Sequence, residues 1–138
     1  MTINEEERST FIQYRIEKAK KAEDDALFLI ENGRLDLAVN RIYYGSFYIL
    51  SALALTYRFQ TVKHQQLIGW FNKKFVKENV VDRKYGQFIH KAYDKRSKGD
   101  YADYVTFTKD EVLVMFEEMR DFIKRINTLI KDFSGNQD

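Results

Sequence analysis

The chain contains no cysteine and no proline, and only two histidines and six glycines among 138 residues. Without thiols there is no disulfide, no cysteine nucleophile, no iron–sulfur cluster and no thiolate zinc site. The same absence suits a reducing compartment, and a cytoplasmic location is the expectation. Average proline usage of about 5% would supply roughly seven. With none, and with glycine confined to Gly33, Gly45, Gly69, Gly86, Gly99 and Gly135, the turn that a many-stranded β protein needs every ~8–12 residues is missing. His64 and His90 stand 26 positions apart, and neither has a second histidine at helical spacing. That leaves little for metal chemistry, so no metal and no cofactor is expected. The longest apolar stretch, around Tyr48 to Tyr57, is interrupted by Ser51 and Thr56. It falls well short of the ~20 residues that cross a bilayer. The opening MTINEEERST is acidic and polar, unlike a signal peptide. No membrane association is expected.

Hydrophobic residues make up 44% of the chain and charged residues 32%, enough for a core and too apolar for disorder. The length suits one domain over residues 1–138, with frayed ends at about 1–4 and 134–138. Apolar residues at helical period predict five helices. The first spans about Asn4 to Asn32, on Ile12, Ile16, Ala19, Ala26 and Ile30, and Asn32-Gly33 is its stop. The second, about Leu35 to Tyr57, is apolar nearly all round, which marks the central helix. The third runs from about Val62 to Lys77 and the fourth from the N-cap Asp82 to Lys98, ended by Gly99. The fifth opens on a capping box, Thr108 and Glu111, and keeps helical period from Val112 to Ile130. Short connections imply antiparallel neighbours, so the expected fold is an all-α, up-and-down bundle of four to five helices.

Charge is uneven. Residues 58–100 carry eleven Lys/Arg against four Asp/Glu, while the segments on either side are mildly acidic. A basic middle reads either as a phosphate-facing surface or as ordinary solvated helix faces. No Walker loop, Gly-x-Gly-x-x-Gly, His-Glu-x-x-His or Gly-x-Ser-x-Gly occurs. Glu5-Glu6-Glu7 and Asp24-Asp25 read as solvated helix surface.

Two clusters remain. Asn40-Arg41-Ile42-Tyr43-Tyr44 interrupts the apolar central helix, and Arg41, Tyr44 and Tyr48 share a face at i, i+3 and i+7. Arg96-Ser97-Lys98-Gly99-Asp100-Tyr101 closes the fourth helix, with Arg96 on the apolar stripe of Ala92 and Tyr93. A guanidinium there keeps its charge and needs partners. Spacing leaves two roles open: an ion pair with Asp100 or Asp103 that braces the turn, or a fixed cation for phosphate. Polar interruptions on the two helices cost least if they face one another, so Arg41, Tyr44, Arg96 and Tyr101 are expected to converge.

The run from Leu37 to Phe47, LAVNRIYYGSF, resembles the second-helix signature of small stand-alone HEPN (higher eukaryotes and prokaryotes nucleotide-binding) domains. Lys63-His64, Phe71 and Phe75-Val76-Lys77 resemble that family's next helix, and Arg96-x-x-Gly-Asp100-Tyr101 its Arg-x-x-x-Asp-Tyr ending. The likeness covers about residues 15 to 130.

The resemblance implies a HEPN-like bundle, usually a homodimer, and a toxin–antitoxin-type component paired with a nucleotidyltransferase antitoxin that acts on RNA or a nucleotide. Many relatives are metal-independent ribonucleases whose active site is an Arg, then four to six intervening residues, then a His. Carried over, Arg96 is the Arg and Tyr101 stands at the His. Asn40, Arg41, Tyr44, His64, Lys98 and Asp100 complete the candidate binding set. Tyrosine titrates near pH ~10 and is a poor general base at neutrality, so cleavage, if any, is expected to be slow. Tyr101 could instead accept a nucleotidyl group, as a tyrosine near this motif does in some relatives. A catalytically silent dimeric interaction module is the contrasting expectation. The load of 20 Phe and Tyr, more than a small core readily hides, favours a dimer.

Overall fold

The computed structural model describes residues 3–101 and 106–135; the side chains of Tyr101, Ser134 and Gly135 lie outside that description. Five α-helices make up the bundle: α1 (Glu5–Glu31), α2 (Leu35–Thr56), α3 (His64–Phe71), α4 (Arg83–Tyr101) and α5 (Lys109–Gly135). There is no strand among the described residues. The all-helical expectation therefore holds.

The helix ends follow local chemistry. The Asn4 side chain accepts from Glu7 N at 2.8 Å, and Glu5 to Glu7 sit in the first turn, where the helix dipole favours acids. Gly33 at φ +71° ends α1, with Arg34 N donating to Leu29 O at 2.8 Å. This is the left-handed stop that glycine allows. Asp82 caps α4 through Lys84 N at 2.8 Å. Thr108 and Glu111 bond reciprocally at the start of α5, at 3.2 and 3.3 Å.

Helix α2 is central and touches each of the other four helices. Two of its buried hydroxyls are satisfied within the helix: Ser46 Oγ donates to Ile42 O and Thr56 Oγ1 to Ala52 O, both at 2.8 Å. Buried Ala19, Ala22 and Ala26 on α1 let α2 approach closely. Gly45 marks that approach. A Cβ there would come within 2.3 Å of Met119 Cε and 3.0 Å of Ala22 Cβ. Gly45→Ala is therefore expected to destabilise by about 1–3 kcal/mol through overpacking, read as a lower urea midpoint with unchanged slope.

Two boundaries depart from the sequence-based expectation. The third helix is not continuous from Val62 to Lys77. It begins at His64 and widens into a π-helical turn over Asn72–Val76, where Lys77 N donates five residues back to Asn72 O at 2.8 Å. The widened turn accompanies burial of both Phe71 and Phe75. Nor does Gly99 end α4, which continues to Tyr101. Gly99 does not take the left-handed conformation. A Cβ on it would lie 3.2 Å from the Phe107 ring, so the glycine serves close packing rather than a stop.

Candidate functional site

Three elements converge on one cleft of about 770 Å³: the middle of α2, the start of α3 and the end of α4. Tyr44, Lys63, His64, Gln65, Tyr93 and Arg96 line it.

Arg96 is held from several sides. Its Nη2 donates to Tyr44 Oη at 2.7 Å, and its Nε lies 2.9 Å from Asp100 Oδ2. The guanidinium carbon stands 5.0 Å from the Tyr44 ring centre and 5.7 Å from that of Tyr43, within reach of the negative ring faces. The Nε–H is buried and not aligned for a hydrogen bond with the carboxylate. Of the two roles left open by spacing, the Asp100 pair is present; Asp103 lies outside the described residues.

Arg41 approaches the same tyrosine. Its guanidinium carbon is 5.4 Å from the Tyr44 ring centre, and its Nε and Nη2 donate to Asn40 Oδ1 at 3.1 and 2.8 Å. Arg41, Tyr44 and Arg96 are thus brought together, with the two guanidinium groups on one ring. The side chain of Tyr101, the fourth member expected there, lies outside the described residues. Asp100 is the one carboxylate paired with either arginine among the described residues.

His64 completes the cleft. Its Nδ1 lies 2.6 Å from Tyr43 Oη, and its ring stacks on Phe47 at 4.1 Å between centres. Burial, and then the Arg96 charge, lower the His64 pKa, so the ring is neutral at neutral pH. Burial pushes the Tyr43 phenol far up, against the opposing effect of Arg96. The phenol thus keeps its proton and, facing the more basic imidazole nitrogen, is assigned as the donor. The histidine proton then sits on Nε2. A depressed histidine pKa means the unfolded chain binds the proton more tightly. Stability is therefore full above the ordinary value of ~6.5 and declines as pH falls from there through the folded value. His64→Gln should flatten this part of the stability–pH curve, checked by urea denaturation at about pH 8 and about pH 5.

The remaining candidates fall elsewhere. Lys98 is exposed and paired with Asp94 at 3.1 Å, and it does not line the cleft. Lys91 and Lys95, also in the basic middle, turn to α5 and pair with Glu118 and Glu111 at 2.5 and 3.5 Å. The basic segment is thus partly neutralised by its acidic neighbour, and the Arg96 cleft does not collect its lysines. His90 is exposed, as its place off the apolar stripe predicts. Sequence reasoning missed Tyr93 in the lining of the cleft and the stacking of Phe47 on His64. The available signal was Tyr43: a tyrosine on an otherwise apolar central helix must place its hydroxyl on a partner. Among the described residues no three His, Asp or Glu side chains group as metal ligands, and no helix is long and apolar enough to cross a membrane.

Comparison with known proteins points the same way as the cleft. The model of the HEPN domain matches residues 12–129. A UPF0332 protein of Thermotoga maritima is 37% identical over 130 residues, covering 94% of this chain and 97% of its own length. Two proteins of Methanocaldococcus jannaschii, both named as candidate toxins, are also similar. One is 36% identical over 122 residues, covering 88% of this chain and 90% of its own length, and the other 33% over 110 residues, covering 80% and 75%. A helical bundle centred on α2, a polar cluster on that helix facing Arg96, and a family match over most of the length agree: the chain belongs to the HEPN-domain family.

Proposed function

We propose that this HEPN-domain protein is a toxin–antitoxin-type component that binds RNA or nucleotide phosphate in the Arg96 cleft. The observation that carries the reading is the pair of guanidinium groups, Arg41 and Arg96, 5.4 and 5.0 Å from the ring centre of one tyrosine, Tyr44, with a single carboxylate, Asp100, paired to them among the described residues. Like charges held this close favour an anion between them, and guanidinium is the group best matched to phosphate oxygens. Neighbouring tyrosines offer faces on which a base can stack. Relatives named as candidate toxins support the biological setting. Within it, we place the protein in the cytoplasm as a homodimer whose partner is a nucleotidyltransferase. Exposed Phe11 and Tyr14 on α1 supply apolar surface for self-association. Light scattering that finds only monomer at micromolar concentration would remove the dimer.

A second reading, slow metal-independent RNA cleavage, is favoured by His64. It is neutral and in the same cleft as Arg96. The Nε2 proton sits on the nitrogen away from Tyr43, so a proton taken from a ribose hydroxyl requires the other tautomer, with Tyr43 Oη accepting from Nδ1. The hydroxyl oxygen would then attack the adjacent phosphorus and expel the 5′ oxygen, which takes a proton from water, while Arg96 neutralises the phosphate. The test is a panel of labelled single-stranded RNAs with and without EDTA, using native protein, Arg96→Ala and His64→Gln. Binding lost with Arg96 and no cleavage supports the binding reading. EDTA-resistant cleavage lost in both variants supports the second. Binding unchanged in Arg96→Ala overturns the site.

A further inference from the structure

A second cleft, of about 610 Å³, lies between the first half of α1, the end of α2 and the last turns of α5. It shares no lining residue with the Arg96 cleft. On α2 their boundaries, Tyr44 and Thr56, stand about 18 Å apart at 1.5 Å per residue. Four cations line it, Arg8, Lys20, Arg58 and Lys131, against one carboxylate, Glu5.

Arg8 is only 9% exposed, and its Nε has no hydrogen-bond partner. Nη1 makes a long 3.4 Å contact to Leu55 O, and Nε lies 3.5 Å from Glu5 Oε1. The same Glu5 oxygen lies 2.5 Å from Arg58 Nη2. Glu5 is itself largely exposed. Arg58 holds a left-handed backbone, φ 63°, at a position that favours glycine. Lys20 and Lys131 form no ion pair among the described residues and are exposed. One solvent-facing carboxylate thus bridges two arginines, one of them buried, in a cleft with two further cations, of which Lys20 also feels the Glu23 carboxylate without forming an ion pair with it. Ile12, Ile16 and Phe133 supply an apolar wall.

We propose that this cleft binds a phosphorylated small molecule. Its phosphoryl group displaces the Glu5 carboxylate between Arg8 and Arg58, with Lys20 and Lys131 compensating the second charge. Its less polar part lies on Ile12, Ile16 and Phe133. The volume suits a ligand of nucleotide size. A phosphoryl group outcompetes a single carboxylate here because it brings more charge and more acceptor oxygens to the same donors.

The test is an amide-resolved NMR titration of the full chain with inorganic pyrophosphate, a nucleoside diphosphate and the unphosphorylated nucleoside, in separate arms. Pyrophosphate and the diphosphate are expected to move the amides of Ser9, Gln13 and Asn127, the diphosphate more tightly, while the nucleoside alone does not. Arg8 also contacts the end of α2, so its removal risks the fold. The decisive variants are therefore at the surface. Lys20→Gln with Lys131→Gln should weaken pyrophosphate binding at least about fivefold, and Glu5→Gln should strengthen it about threefold. Arg96→Ala should leave the affinity read at Ser9, Gln13 and Asn127 unchanged and alter only shifts around the Arg96 cleft, which separates the two sites. Shifts confined to the Arg96 cleft, unchanged affinity in the double lysine variant, or weaker binding in Glu5→Gln would each overturn the proposal.

Discussion

Arg96→Ala is expected to weaken binding of a short single-stranded RNA by about 10- to 100-fold. That is the range of one charge-assisted hydrogen-bonding group worth ~1.5–3 kcal/mol. Arg96 combines an unalterable charge with an orientation fixed by Tyr44, Asp100 and the ring faces of Tyr43 and Tyr44. An anion meeting it needs little reorganisation of the protein, so most of the interaction appears as affinity. Arg96→Lys should recover only part of the loss, because an ammonium keeps the charge and loses the planar fork. Fluorescence anisotropy at about 50 and about 200 mM salt reads both effects, and the salt slope should fall by about one in Arg96→Ala. Lys98→Ala is the internal contrast. Lys98 is exposed, tied to Asp94 and outside the cleft, so its removal should cost less than about threefold. Equal losses in both variants would mean a diffuse basic surface rather than a site.

Phe122→Ala should lower unfolding free energy by about 3–5 kcal/mol, a large part of the ~5–15 kcal/mol that holds a domain of this kind together. Phe122 is fully buried on α5. Its ring meets Phe88 at 5.3 Å, Phe71 at 5.8 Å and Tyr85 at 6.3 Å between centres. Truncation removes dispersion and ring–ring contacts to α3 and α4 at once, and these long side chains cannot collapse into the void without leaving their own rotamers. Urea denaturation measures it, with Val114→Ala on the same helix as control. Val114 is 59% exposed, so its loss should stay within ~0.5 kcal/mol. A Phe122→Ala cost below ~1 kcal/mol would contradict a core closed around this ring.

The sequence alone determined the helices and most of their ends, because these depend on interactions within a few residues. Asn4, Gly33, Asp82 and the Thr108–Glu111 box act through side-chain and backbone bonds at short range. Period and burial agree along α5, where Val112, Met115, Phe116, Met119, Phe122 and Ile126 are all buried. The central place of α2 followed from its apolar circumference. Where long-range packing competes with a local signal, the local signal lost. Gly99 has every feature of a stop, yet the ring of Phe107 uses its missing Cβ for contact. The third helix widens at Asn72–Val76, and nothing in local propensity predicts a π turn.

The site divides along the same line. That Arg41, Tyr44 and Arg96 need partners is chemistry, legible from residue type on an apolar face. Which partners they take is decided by three elements meeting in space. Only the tertiary structure sets Tyr44, rather than a carboxylate alone, under Arg96 and places His64 against Tyr43 across 21 positions of sequence. It likewise turns Lys91 and Lys95 away to α5. The physical reason is range. A cap or a helical stripe is closed by residues one turn apart, whereas a charge is satisfied by whichever partner the fold brings within ~3–4 Å. No periodicity within one helix encodes that choice.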